Sequence, residues 1–243
     1  MGAETSILHS ANVTGKANVA AVAALVAEPA RATILDSLMD GGCLRAGDLA
    51  RCAGIAPSTA SEHLRRLLEG RLVVCEQEGR ERRYRLASPA VAEALEALAR
   101  VAPRERVGSL RAANRTAALR HARTCYDHLA GALGVALTDA LVARKALVAG
   151  DGTYALTARG ERMLTAIGVD VEQARAERRA FARPCLDWSE RRPHLAGALG
   201  AALAETLLAR SWVLRRPHDR ALVVTQLGEA GLRKLGVAPA EDR

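Results

Sequence analysis

The sequence predicts a mainly α-helical protein with short β-hairpins, in two parts. Three observations lead there. Apolar residues make up 49% of the 243 positions but aromatics only 2%, so the core has to be built from Ala, Leu and Val, which suits closely packed helices. Residues 46–87 read as a short helix, a glycine turn, a second helix and a basic hairpin. In the second half, the run from His128 to Leu137 (HLAGALGVAL) returns from His194 to Leu203 (HLAGALGAAL). The predicted architecture is an N-terminal winged helix-turn-helix followed by a C-terminal domain of two helix–hairpin–helix repeats.

Residues 1–16 mix Gly, Ser, Thr and Asn without a period and are expected to form a flexible arm. The winged helix is assigned to 17–102. Asn18 to Ala27 is its first helix, with Val19, Val22 and Val26 on one side. Pro29 opens the next at its favoured first-turn position; Ile34, Leu35 and Leu38 form the apolar stripe and Gly41-Gly42 ends it. Arg45 to Cys52 is the first helix of the helix-turn-helix, with Leu49 inward, and Gly54 supplies the turn. Pro57 starts the second helix. Ala60, Leu64, Leu67 and Leu68 recur at helical spacing, which leaves Ser58, Ser61, Glu62 and Arg65 on the outer face. Leu72 to Glu76 and Arg82 to Leu86 read as strands around a tight turn near Glu78-Gly79-Arg80. Ser88-Pro89 begins a helix carrying Val91, Ala94, Leu95 and Leu98.

A polar break at Pro103 to Val107 opens a linker, 103–124, whose helix over 109–123 carries Arg111, Arg115, Arg120 and Arg123. The rest, 125–243, is read as a duplicated effector-sensing domain with repeats at about 125–169 and 185–237. Each apolar helix is followed by a hairpin, near Asp151-Gly152 or Pro217-His218-Asp219, and each hairpin by a further helix ending at Ile167-Gly168-Val169 or Leu235-Gly236-Val237. Val171 to Phe181 is predicted as a charged helix bridging the copies.

The net charge of +8 permits a polyanionic partner such as nucleic acid. No run of 18 apolar residues and no charged leader followed by an apolar core is present. The expected location is therefore the cytoplasm, with no membrane partner and with the five cysteines reduced.

On Pro29-Ala30-Arg31, on Ser58-Thr59-Ala60-Ser61-Glu62-His63-Leu64 and on the wing from Gly79 to Tyr84-Arg85-Leu86, the chain resembles the ArsR family of bacterial regulators over about residues 18–100. The resemblance implies a winged-helix homodimer that represses transcription and releases operator DNA when a metal, metalloid, oxidant or small molecule binds. A recognition helix presents the outer face of its N-terminal part to base edges. The candidate DNA contacts are therefore Ser58, Thr59, Ser61, Glu62, His63 and Arg65, with Arg66 and the wing residues Arg80, Arg82 and Arg83 placed for phosphate.

The resemblance also implies two familiar metal positions, and neither is furnished here. The positions matching a cysteine pair in the first helix of the helix-turn-helix fall close to Arg45 and Gly47, and residues 89–102 hold no His, Cys or Asp. Sensing is therefore expected in the second half. Cys125-x-Asp127-His128 and Cys185-x-Asp187, with His194 further on, recur in the two copies. Thiolate, imidazole and carboxylate suit a zinc-like transition metal, and a thiol near a helix start suits an oxidant sensor. Trp188 and Arg191 are candidate pocket or lid residues. Alternatives stay open: no cofactor at all, an organic effector in an Ala/Leu/Gly-lined pocket, Asp127 and Asp187 as helix caps, a purely structural repeat, a protein-interaction adaptor, or a thiol enzyme using Cys125 or Cys185. The chain has no recognisable oxyanion or cofactor motif, and the reading is of a regulator rather than an enzyme.

Overall fold

The structure, a computed structural model, describes residues 16–103, 108–216 and 219–238. The 1–16 arm falls outside these residues, apart from Lys16, as does the Pro217-His218 turn. The N-terminal half runs α1 (Val19–Val26), α2 (Pro29–Ser37), β1 (Leu44–Arg45), α3 (Ala46–Ala53), α4 (Pro57–Glu69), β2 (Val73–Glu78), β3 (Glu81–Leu86) and α5 (Pro89–Val101). This is a winged helix-turn-helix. Gly54 closes α3 at φ 65°, a left-handed conformation open to glycine, and turns the chain into α4. Strand β3 lies between β1 and β2, antiparallel to both, with Tyr84 opposite Leu44 and Leu86 opposite Val73. Ile34, Leu35, Leu49, Leu64, Leu67 and Leu86 close the core beneath α4. Each buried side chain of this size contributes roughly 1.5–3 kcal/mol. The helix α1 departs from its expected one-sided burial. It contains no buried residue, and Val19 and Val22 face solvent.

The C-terminal half runs α6 (Leu110–His121), β4 (Arg123–Cys125), β5 (His128–Ala130), α7 (Gly131–Ala143), β6 (Leu147–Ala149), β7 (Tyr154–Leu156), α8 (Ala158–Ala166), α9 (Val171–Ala176), β8 (Arg183–Leu186), β9 (Pro193–Ala196), α10 (Ala198–Ala209), β10 (Val213–Arg215), β11 (Leu222–Val224) and α11 (Gln226–Leu235). Each apolar helix, α7 and α10, is thus preceded as well as followed by an antiparallel hairpin. The charged helix expected to reach Phe181 stops at Ala176. Beyond it the carbonyls of Ala180 and Phe181 accept the amides of Ala198 and Leu199, so this stretch caps α10 instead of continuing α9. Hairpin β4–β5 packs on α10 and hairpin β8–β9 on α7, with β5 beside β9. Leu133, Leu141, Leu199, Leu203 and Leu207 fill the space between.

The halves meet along the edge of β4. The Tyr126 amide donates to the Met39 carbonyl at the end of α2, 2.7 Å away, and Thr124 donates to the Arg220 carbonyl at 3.0 Å. The Arg220 guanidinium, 8% exposed, pairs with Glu96 of α5 at 2.7 Å and with Asp36 of α2 at 3.1 Å. Arg183 pairs with Glu93, and Arg215 with Asp40.

Candidate metal centre and DNA-facing surface

Two hairpins build the centre. Cys125 stands opposite His128 across β4–β5, and Cys185 opposite His194 across β8–β9. Residues directly opposite in an antiparallel pair present their side chains on one face, so each hairpin offers a thiol beside an imidazole. Packing β5 against β9 turns the two faces toward each other. The Cys125 and Cys185 sulfurs are 4.0 Å apart, and the Nε2 atoms of His128 and His194 are 3.2 Å apart. The four ligand atoms all lie within 4.8 Å of one another. Two glycines permit this approach. A Cβ on Gly134 would sit 2.5 Å from the Leu129 carbonyl and 3.5 Å from the His194 Cβ; one on Gly200 would sit 2.6 Å from the Leu195 carbonyl and 3.3 Å from the His128 Cβ. Each apolar helix is therefore bare where the opposite hairpin lays its histidine.

The second nitrogen of each imidazole faces a carboxylate. Nδ1 of His128 is 3.0 Å from Asp127, which Arg179 also holds. Nδ1 of His194 is 3.4 Å from Asp187. Asp187 is fully buried and accepts from Arg123 at 2.8 Å, from the Gly131 amide at 2.7 Å, and from the Ser189 amide and hydroxyl at 2.8 and 2.7 Å. Arg123, also fully buried, stacks over the Trp188 ring with 4.8 Å to its centroid. Burial opposes the charge on Asp187, yet His194, Arg123 and the Ser189 and Gly131 donors hold its carboxyl well below the ordinary carboxylate range. At the centre the contact with Cys125, reinforced by the two histidines, draws the Cys185 thiol down, while that same contact and burial push Cys125 up. The His194 imidazole loses stability as a cation through burial but gains more from Asp187 and Cys185, so its pKa rises.

Two thiols and two imidazoles match a zinc-type donor set. With Zn–S of about 2.3 Å and Zn–N of about 2.0 Å, a tetrahedron has S···S edges of about 3.8 Å and N···N edges of about 3.3 Å. The observed 4.0 and 3.2 Å separations fit such a site. Two thiolates balance a divalent ion, and Arg123 and Arg179 balance the two aspartates. Carboxylates on the outer imidazole nitrogens are the usual support of metal-binding histidines. A cavity of about 450 Å³ leads to the cysteines between Glu93, Glu96 and Arg100 of α5 and Arg183 of β8.

On the other half, Ser58, Thr59, Ser61, Arg65 and Arg66 are exposed on α4. Glu62 lies among them and binds Arg65 at 2.7 Å and Arg66 at 2.8 Å. The hydrogen bonds from Arg65 and then Arg66 hold the Glu62 carboxyl down at about 2. On the wing, Arg80 and Arg82 are exposed at and beside the tip, and Arg83 pairs with Glu78 at 2.8 Å.

A family described as a helix-turn-helix domain matches residues 26–76. An M. tuberculosis regulator, CmtR, is 43% identical over 76 residues, 31% of this chain and 64% of its own. A solved homodimeric winged helix-turn-helix domain from Mycobacterium bovis, described as a possible ArsR-family regulator, is 30% identical over 35% of this chain and 85% of its own, with a TM-score of 0.31. The Bacillus subtilis protein described as "Uncharacterized HTH-type transcriptional regulator YdfF" is 45% identical over 217 residues, 89% of this chain and 96% of its own. The chain belongs to the same family of HTH-type transcriptional regulators as YdfF. Since 217 aligned residues leave at most 26 outside, the likeness to YdfF runs through both halves of the regulator.

Several sequence-predicted residues stand elsewhere than expected. In this regulator His63 turns away from the exposed face of α4 and packs on α2, 3.5 Å from Arg31 and 3.7 Å from Glu28. Cys125 and His128 are cross-strand partners at a hairpin, not residues at a helix start. Asp127 caps no helix, whereas Asp187 accepts the first amide of α7 from across the fold; both carboxylates also face the histidines. Trp188 and Arg191 do not line the cavity: Trp188 covers Arg123, and Arg191 sits in the β8–β9 turn at φ 54°. Missed from sequence were Arg123, Arg179 and Ser189, which neutralise or hold the aspartates.

Proposed function

We propose that this DNA-binding regulator acts as a homodimeric repressor whose affinity for operator DNA is set by a thiophilic divalent metal of the zinc class held by Cys125, His128, Cys185 and His194. The observation that carries this reading is the convergence of four ligand atoms, from two hairpins sixty residues apart, within 4.8 Å. The hairpins belong to two copies of one duplicated unit on this reading, and the metal sits on their pseudo-twofold. Ser58, Thr59, Ser61 and Arg65 read bases, while Arg66, Arg80 and Arg82 hold phosphate. The solvent-facing apolar side chains of α1 and of the end of α5, Val19, Val22, Leu98 and Val101, supply the surface for self-association.

Coupling runs through the turn between Cys125 and His128. Its Tyr126 binds Met39 and packs on the helix-turn-helix core, and the strand leading into it binds Arg220, which grips α2 and α5. Drawing the hairpins together around a metal shifts that attachment and changes the placement of the recognition helices, a population shift between two arrangements.

The test is elemental analysis with thiol counting on the purified regulator, and DNA binding with and without Zn²⁺. About one metal per chain, lost in Cys125→Ser and in His194→Ala, with DNA affinity that no longer responds to Zn²⁺ in either, is the expected result. Metal content equal in the wild type and both variants would refute it. The 4.0 Å sulfur separation and the acidified Cys185 favour a second reading, in which an oxidant joins the two thiols. Metal-free protein with a Cys125–Cys185 disulfide after peroxide treatment would select it.

A further inference from the structure

Outside the recognition helix and wing, one stretch of the chain carries several arginines with no acid among them. Residues 16–103, the DNA-reading half, carry twelve basic and eleven acidic side chains. Several of those bases are already held by carboxylates: Arg65 and Arg66 by Glu62, Arg83 by Glu78, Arg85 by Glu76, Arg45 by Glu81. Residues 108–123 carry four arginines and no acid. Arg123 of these is buried, whereas Arg111, Arg115 and Arg120 stand exposed on α6, a helix with no buried residue. Arg111 and Arg115 are four apart and share one face.

That face lines an open groove of about 920 Å³ together with Arg216 from the end of β10 and Arg51 from the last turn of α3. Asp219 pairs with Arg115 at 3.3 Å and Arg51 with Asp48; Arg111 and Arg216 have no carboxylate partner among the described residues. The groove's place matters as much as its charge. Arg51 lies three residues before Gly54, the turn that leads into the N-terminal end of α4. In helix-turn-helix proteins the first helix crosses the DNA backbone as the second enters the groove, so a basic groove against the end of α3 lies where the phosphate path leaves the recognition helix.

We propose that α6 and the β10 end form a second duplex-DNA surface, with Arg111 and Arg216 each contacting phosphate, so that DNA touches both halves of the chain at once. The partner is recognised by charge alone, with no base reading, and the surface adds affinity and register rather than sequence preference. It also places bound DNA within a few residues of Arg220, whose carbonyl accepts the Thr124 amide of the β4–β5 hairpin.

The test uses the full-length protein and a mixed-sequence duplex, whose binding is almost wholly electrostatic, titrated by fluorescence anisotropy over a range of salt concentrations. Each phosphate contact contributes about 0.9 to the slope of log K against log salt. The double variant R111A/R216A should flatten that slope by about 2, and R111K/R216K should restore most of it. Arg192→Ala, an exposed arginine on the β8–β9 turn, should leave it unchanged. Thermal melts of the variants matching the wild type exclude a folding effect, since both side chains are exposed. An unchanged slope in R111A/R216A, or an equal loss in Arg192→Ala, overturns the second surface while leaving the helix-turn-helix intact. Wild-type protein with no salt-dependent DNA binding would overturn both.

Discussion

Replacing Asp187 by Asn keeps the side chain's size and removes its charge. Asp187 and Arg123 are both 0% exposed and 2.8 Å apart, so the substitution strands a guanidinium inside the protein. Breaking a buried ion pair from one side costs about 3–5 kcal/mol, a large part of the roughly 5–15 kcal/mol that holds a domain folded. In a chain of this size each kcal/mol moves the midpoint by about 2–4 °C, so the melt should fall by roughly 6–20 °C. Asp187 also orients His194, so affinity for Zn²⁺ should drop about 10–100-fold. Adding Arg123→Met removes the stranded charge and should recover most of the lost stability without recovering metal affinity. Urea unfolding of wild type, single and double variants reads the first effect, and competition for Zn²⁺ with a chromophoric chelator the second. A single variant within about 1 kcal/mol of wild type, below the range for a broken buried pair, would refute the reasoning. So would a double variant no more stable than the single.

Three further perturbations separate the roles of the other residues. Glu62→Gln releases Arg66 and leaves Arg65 paired with Glu69, so it should steepen the salt dependence of non-specific DNA binding by about 1 in slope; a flatter slope would count against the neutralising role given to Glu62. Arg65→Ala should relax sequence preference, while Arg80→Ala with Arg82→Ala should weaken binding equally on all sequences; binding to a panel of duplexes distinguishes the two. Gly41 has φ 74°, and a Cβ there would lie 2.8 Å from the Tyr126 carbonyl. Gly41→Ala should therefore push the metal hairpin off α2, leaving Zn²⁺ and DNA each bound but the effect of one on the other reduced; an unchanged Zn²⁺ response of DNA affinity would exclude this contact as the link.

Local rules made much of the chain legible before any coordinates. Pro29, Pro57 and Pro89 start helices because φ is preset there and the missing amide hydrogen is not needed. Leu64 and Leu67 are buried and Arg65 and Arg66 exposed because 100° per residue separates them. The Cys-x-Asp-His recurrence marked six residues around the centre, Cys125, Asp127, His128, Cys185, Asp187 and His194, although not how they meet. The hairpin before each apolar helix escaped notice because its strands are three or four residues long and its first turn uses Tyr126 at φ 61°, a conformation that turn chemistry assigns to Gly or Asn.

By itself, then, the sequence determined the helix-turn-helix, its outward face and the kinds of ligand present, since each depends on spacing within one element. Only the tertiary structure decided that Cys125 and His128 meet Cys185 and His194, that His63 turns inward, and that Arg123 and the first amide of α7 together answer Asp187. Those outcomes depend on β5 lying beside β9 over Gly134 and Gly200, an encounter between segments more than sixty residues apart that no local periodicity encodes.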